Sequence, residues 1–205
     1  MNLNSKDALT LLNKKRTFTN SDRWIDHCVC VGNTAGRVAS ALNLDEDFAK
    51  TLGYIHDIGK SFENESNTSH DVFSHAIFGY DYLKSLGYAE KYAGICIKHS
   101  FLNNDIDCLA NNSDKTDRTN PNYDFVKSYI RNEYKLYEKI INLCDLMCTQ
   151  KVYTLDKRMI DLLLRHGVFA KTRYHIEQAV KLKDYFDSLL GYNLYNLFPE
   201  IKENL

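Results

Sequence analysis

Leu52-Gly53-Tyr54-Ile55-His56-Asp57-Ile58-Gly59-Lys60 sets a histidine and an aspartate side by side near the end of an apolar helix. An imidazole offers one nitrogen and a carboxylate two oxygens, so the pair can hold one ion and leave an Asp oxygen for a second. Alone, the dipeptide reads first as polar decoration of a helix end. Its company changes that reading. His27, His75, His99 and Asp145 each lie inside an apolar helical stretch, where an ionisable group without a partner or a metal is costly to bury.

Working outward, the chain reads as helices joined by polar loops, with two prolines, Pro121 and Pro199, and no sustained strand alternation. The fold class is all-α, a single domain of seven to eight helices. A first helix covers about residues 6–15, with Leu9 and Leu12 inward, and packs on the outside of the core. A second follows the capping cluster Asn20-Ser21-Asp22 and runs to about residue 43, with Trp24, Cys28, Val31, Ala35, Val38 and Leu42 inward. Asp45 caps a third, about 46–58, which Gly59 ends. Ser69 caps a fourth that carries His75 and stops at Gly87. A fifth covers about 89–100, a polar loop or lid about 103–122, and a long helix about 123–150 that holds Asp145. Helices at about 156–165 and 172–190 precede a Tyr-rich tail.

With 205 residues the chain can bury a sizeable core, and 26 basic against 27 acidic residues predict no broad nucleic-acid or membrane surface. An anionic substrate must be met locally. No apolar run approaches the roughly 20 residues of a membrane span, and no signal-peptide pattern is visible, so a soluble, cytoplasmic protein is expected. The six cysteines contain no Cys-x-x-Cys pair and read as reduced core residues.

Five helices thus supply His27, His56-Asp57, His75, His99 and Asp145, in that order. The pattern resembles the HD-domain superfamily of metal-dependent phosphohydrolases, in the six-ligand, two-metal version. Arg23 four residues before the first His, the run His56-Asp57-Ile58-Gly59-Lys60 and the run His75-Ala76-Ile77-Phe78-Gly79 extend the likeness, which covers about residues 21–150. Residues 151–205 are then a C-terminal helical extension. The Gly-Tyr-Pro of the cyclic-di-GMP-degrading branch does not follow Lys60, so that substrate is not carried over.

The resemblance implies that His27, His56, Asp57 and Asp145 hold a first metal ion and that Asp57 bridges to a second, held by His75 and His99. His70 is the rival of His75, which Gly79 favours. Such nitrogen and oxygen ligation suits Mn, Fe, Co or Ni. Asp57 and Lys60 are the catalytic candidates, with Arg23 and Lys60 on the substrate phosphate. The implied activity is hydrolysis of a small phosphate ester or anhydride, preferably of a nucleotide, by a metal-activated water. No stable nucleic-acid or membrane partner is expected. The alternatives are a diiron oxygenase of the same ligand set, acting on a polyol or phosphonate, and a catalytically silent binding module. His166 and His175 are expected at the surface. Tyr123, Tyr129, Tyr134, Tyr137 and Tyr153 read first as packing residues and second as a base-stacking wall.

Overall fold

The computed structural model describes residues 1–17, 22–63, 72–108, 120–168 and 170–204. Ser69, His70 and most of the 103–122 loop lie outside these residues, as does the side chain of His166. The described elements are α1 (Ser5–Asn13), α2 (Arg23–Ala41), α3 (Glu46–Ile55), α4 (Val72–Ser85), α5 (Glu90–Ala93), α6 (Ile95–Lys98), α7 (Tyr123–Tyr129), α8 (Leu136–Met147), α9 (Leu155–His166) and α10 (Thr172–Leu190), with short 3₁₀ turns between and after them. No strand occurs among the described residues.

Ten α segments stand where eight helices are expected, because two expected helices are each broken once. The stretch at 89–100 divides at Gly94, where an added Cβ would run into the Tyr129 hydroxyl. The stretch at 123–150 divides after α7, and Lys135 is extended (φ −71°, ψ 168°) before α8 restarts with its backbone N–H on the Glu138 carboxylate. The break lets Ile130 and Tyr134, each 2% exposed, enter a second core cluster with Phe73, Phe101 and Val126. A straight helix would carry them past it. α3 ends at Ile55 instead of residue 58, and its last residues continue as a 3₁₀ turn, Ile58–Phe62.

The main core joins α1, α2, α3, α8 and α10. Ala8 and Leu12 of α1 are fully buried in it, so this helix is part of the core and not an outer layer. Asp45 caps α3 as expected, accepting from the Phe48 N–H at 3.0 Å. Asp22 precedes α2 but accepts instead from the backbone N–H of Thr17. The six cysteines are free, and all but Cys30 are buried. The C-terminal tail folds into two 3₁₀ turns that add Leu194, Phe198 and Ile201 to the core.

Two close backbone approaches set where the helices meet. Gly53 of α3 lies against Gly32 of α2, where a Cβ would meet the partner's backbone. Gly59 lies against α4, where a Cβ would strike the His75 carbonyl oxygen and approach the Gly79 nitrogen. That contact brings the turn after Asp57 onto the helix that carries His75.

His175 is not at the surface. It is 4% exposed on α10, beside Met159, Leu162, Leu163 and Ile176, and burial depresses its pKa to about 4. The ring is neutral when folded but protonates near pH 6.5 when unfolded, so stability is lost as pH falls from 6.5 toward 4.

Gly59→Ala is expected to destabilise the fold by about 1–3 kcal/mol in denaturant unfolding, because backbone on both sides must move. His175→Phe is expected to remove about 2 kcal/mol of the stability loss between pH 7 and pH 5. An unchanged acid limb in that variant would show that the ring is already charged in the folded protein.

Candidate metal centre

α2 is amphipathic and turns His27 inward one turn after exposed Arg23. His56 and Asp57 form the turn just after α3 and are 0% and 2% exposed. His75 comes from the middle of α4 and His99 from the residue after α6. Asp145 lies in the last turn of α8. The structure brings all six side chains to one point.

They form two sets that share Asp57. In the first, His27 Nε2 lies 2.9 Å from Asp145 Oδ1, 3.3 Å from His56 Nε2 and 3.8 Å from Asp57 Oδ2. His56 Nε2 lies 3.6 Å from Asp57 Oδ2 and 3.7 Å from Asp145 Oδ1. In the second, Asp57 Oδ1 lies 3.5 Å from His75 Nε2 and 3.2 Å from His99 Nε2, and the two nitrogens are 3.4 Å apart. Two donors on one ion, at bonds near 2.1 Å and angles between square and tetrahedral, lie about 3.0–3.4 Å apart. Both sets are close to that spacing, and their donor atoms could hold cations.

The rings are aimed by the atoms behind them. His56 Nδ1 contacts the Gly53 carbonyl oxygen at 2.7 Å and His99 Nδ1 the Ile95 carbonyl oxygen at 3.3 Å. A carbonyl can only accept, so Nδ1 carries the proton and Nε2 of the neutral ring faces inward as a ligand atom. Glu63 Oε1 lies 3.5 Å behind His75 Nδ1. Asn142 of α8 donates to the His99 carbonyl oxygen at 2.7 Å and ties α6 to α8.

Carboxylate oxygens facing inward ring nitrogens are stable only with positive charge between them. Buried Asp57 Oδ1 makes no hydrogen bond, so in the second set it has an unmet need that a cation could fill. Burial would raise the Asp57 pKa, but Lys60, His56 and His99 beside it hold the carboxyl well below its usual range. Burial opposes ionisation of Asp145 too, and the His27 and His56 imidazoles beside it hold its carboxyl well below the usual range.

Lys60 places its ammonium on Asp57 Oδ2. Burial would depress its pKa, and Asp57 holds it above the ordinary value instead. Arg23 does not touch the centre. It lines a cavity of about 600 Å³ that opens from His27, Lys60 and Asp145. Trp24, expected inward in the core, is half-buried on the wall of that cavity. Tyr153 is on the wall as well, whereas Tyr123 and Tyr134 are core residues and the Tyr137 hydroxyl accepts from the Asp45 N–H at 2.8 Å.

Sequence reasoning missed Glu63, which sits in what reads as a polar loop, and the charged residues of α9 on the cavity wall. A signal for the latter exists: Lys157, Arg158, Asp161 and Arg165 recur at helical spacing.

A model of the HD domain family matches residues 24–188. The chain is 33% identical over 144 residues to Ribonuclease Y of Protochlamydia amoebophila, covering 67% of this chain and 27% of that protein. It is 44% identical over 46 residues to Ribonuclease Y 1 of Pediococcus pentosaceus, covering 22% and 9% of the two chains. The chain therefore spans about a quarter or less of the length of these relatives. No solved structure matches it. No helix among the described residues is long and apolar enough to cross a membrane.

Adding Mn²⁺ to metal-free protein is expected to raise Tm, since a ligand that binds only the folded state stabilises it by about 2.7 kcal/mol at a hundred times its Kd. Asp57→Ala should abolish that rise, read by calorimetry, because the carboxylate faces both sets. A full Mn²⁺ response in the variant would remove Asp57 from the centre.

Proposed function

Because the chain belongs to the HD domain family, we propose that it is a metal-dependent hydrolase of phosphate esters or anhydrides, with a nucleotide as substrate. The observation that carries this reading is the shared carboxylate. Asp57 turns Oδ2 toward His27 and His56 and Oδ1 toward His75 and His99, as a residue bridging two ions would.

In this reading His27, His56, Asp57 and Asp145 hold one divalent ion, and Asp57, His75 and His99 hold a second, drawn from Mn, Fe, Co or Ni. When bound, such a pair activates water and neutralises charge on a phosphoryl oxygen. The chain's own residues do the rest. Gly53, Ile95 and Glu63 keep the rings in the ligating orientation. Lys60 and Arg23 sit on the cavity side of the centre, where a cation can hydrogen-bond phosphoryl oxygens as charge develops on them. The oxygen of water joins phosphorus, the bond from phosphorus to the leaving oxygen breaks, and a proton of the water ends on the leaving group or in solvent.

A second substrate, an RNA phosphodiester, is favoured by the name of the relatives, Ribonuclease Y. Against it stands a formal net charge of −1, which supplies no extended basic surface for a polyanion.

The test is a phosphoester, phosphoanhydride and oligoribonucleotide screen on protein loaded with each metal, with oxygen uptake recorded alongside. Release of phosphate or nucleotide without oxygen consumption is expected. His99→Ala should lower bound metal from about two ions to about one per chain by elemental analysis, with the fold retained. Arg23→Ala should lower kcat/KM at least tenfold with metal content intact, since a hydrogen bond to a charged group contributes on the order of 1.5–3 kcal/mol. Oxygen-dependent turnover of a substrate without phosphorus would overturn the hydrolase reading.

A further inference from the structure

The cavity above the metal centre has a wall that the hydrolytic chemistry does not use. Thr154 caps α9 by accepting from the Lys157 N–H, and the helix then presents Lys157, Arg158, Asp161 and Arg165 to the cavity at successive turns. Arg23 and Lys60 line the same cavity, so five cations stand against two carboxylates, Asp145 and Asp161. The chain as a whole carries a formal charge of −1, so this excess is local.

Arg158 is the informative member. It is 6% exposed, and its Nε is buried with no hydrogen-bond partner. One guanidinium nitrogen contacts Asp161, but that carboxylate also takes Arg165 at 2.6 Å, so two cations share one anion. Burial and the neighbouring Arg165 both depress the Arg158 pKa, as expected of a guanidinium short of negative charge. Lys157 is exposed and forms no ion pair among the described residues. A buried, underpaired Arg with a free Lys and a shared Arg beside it suits an anion with several oxygens.

The remaining wall includes Trp24 and Tyr153, both half-buried. An aromatic face beside a cation cluster accepts a flat ring joined to phosphates. A volume of about 600 Å³ falls within the range for small-molecule ligands and suits one nucleotide.

We propose that the α9 wall is a second phosphate subsite and that the substrate is a nucleoside oligophosphate. Its scissile phosphate lies at the His27–Asp145 end, its further phosphates meet Lys157, Arg158 and Arg165, and its base lies beside Trp24 and Tyr153. The assignment of the scissile end rests on the hydrolase reading above; the subsite itself does not.

Trp24 is the sole tryptophan of the chain and lies in the cavity, so its fluorescence reports occupancy without turnover. The metal-free 205-residue protein is titrated with AMP, with the non-hydrolysable triphosphate adenosine 5′-(β,γ-imido)triphosphate and with a short oligoribonucleotide. The triphosphate is expected to bind at least tenfold more tightly than AMP. Lys157→Gln with Arg165→Gln should reduce that ratio at least fivefold, and Arg158→Lys should reduce it too, each checked for an unchanged circular dichroism spectrum. Lys157→Gln alone, at an exposed position, keeps the test open should a multiple variant unfold. Equal affinity for AMP and the triphosphate, or a ratio untouched by these changes, would overturn the subsite. Tighter binding of the oligoribonucleotide than of the triphosphate would overturn the substrate class. A ratio that collapses in the variants of a protein without hydrolytic activity supports the subsite and refutes the hydrolase reading alone.

Discussion

The buried carboxylate of Asp57 is the constraint on which the structure turns. An ionised group at 2% exposure is tolerated only where opposite charge meets it. Here Lys60 lies on one oxygen, and four imidazoles converge on the two faces. Those partners come from α2, the end of α3, α4 and the segment after α6, while α8 adds Asp145. Folding around Asp57 therefore fixes how these helices meet, and the helices in turn fix the carboxylate. Glycine makes the approach possible: Gly53 lets α3 lie on α2, and Gly59 lets the turn after Asp57 lie on α4 beside His75.

The site has two electrostatic layers. The inner one consists of carboxylates and inward ring nitrogens and is suited to cations. The outer one, on the cavity wall, is cationic and suited to anions. Opposite preferences within one cavity match a reaction in which metal ions and a phosphorylated substrate meet. The near-neutral chain confines this field to the site.

The all-α class and the order of the six candidate residues along it could be read from the sequence, because apolar periodicity and the incongruity of ionisable residues within it are local signals; that His56, Asp57 and His99 fall just past the ends of α3 and α6 could not. Breaks in helices could not. Nothing in the stretch 123–150 marks the kink after α7, which serves the distant cluster around Phe73 and Phe101. His175 looked like a surface residue since it lies outside the family pattern, yet α9 closes over it. Glu63 looked like loop because its partner, His75, is twelve residues away on another element.

By itself, the sequence determined which side chains carry ligand-type nitrogens, carboxylates and cations within apolar helical stretches, since side-chain chemistry and helical register are properties of a few neighbouring residues. Only the tertiary structure decided that one Asp57 oxygen faces each pair of histidines, that Lys60 rests on that carboxylate, and that α9 turns Arg158 toward the same cavity. Those facts depend on how helices distant in sequence cross. Crossing is set by backbone approach and by the packing of two apolar clusters, which no local pattern encodes.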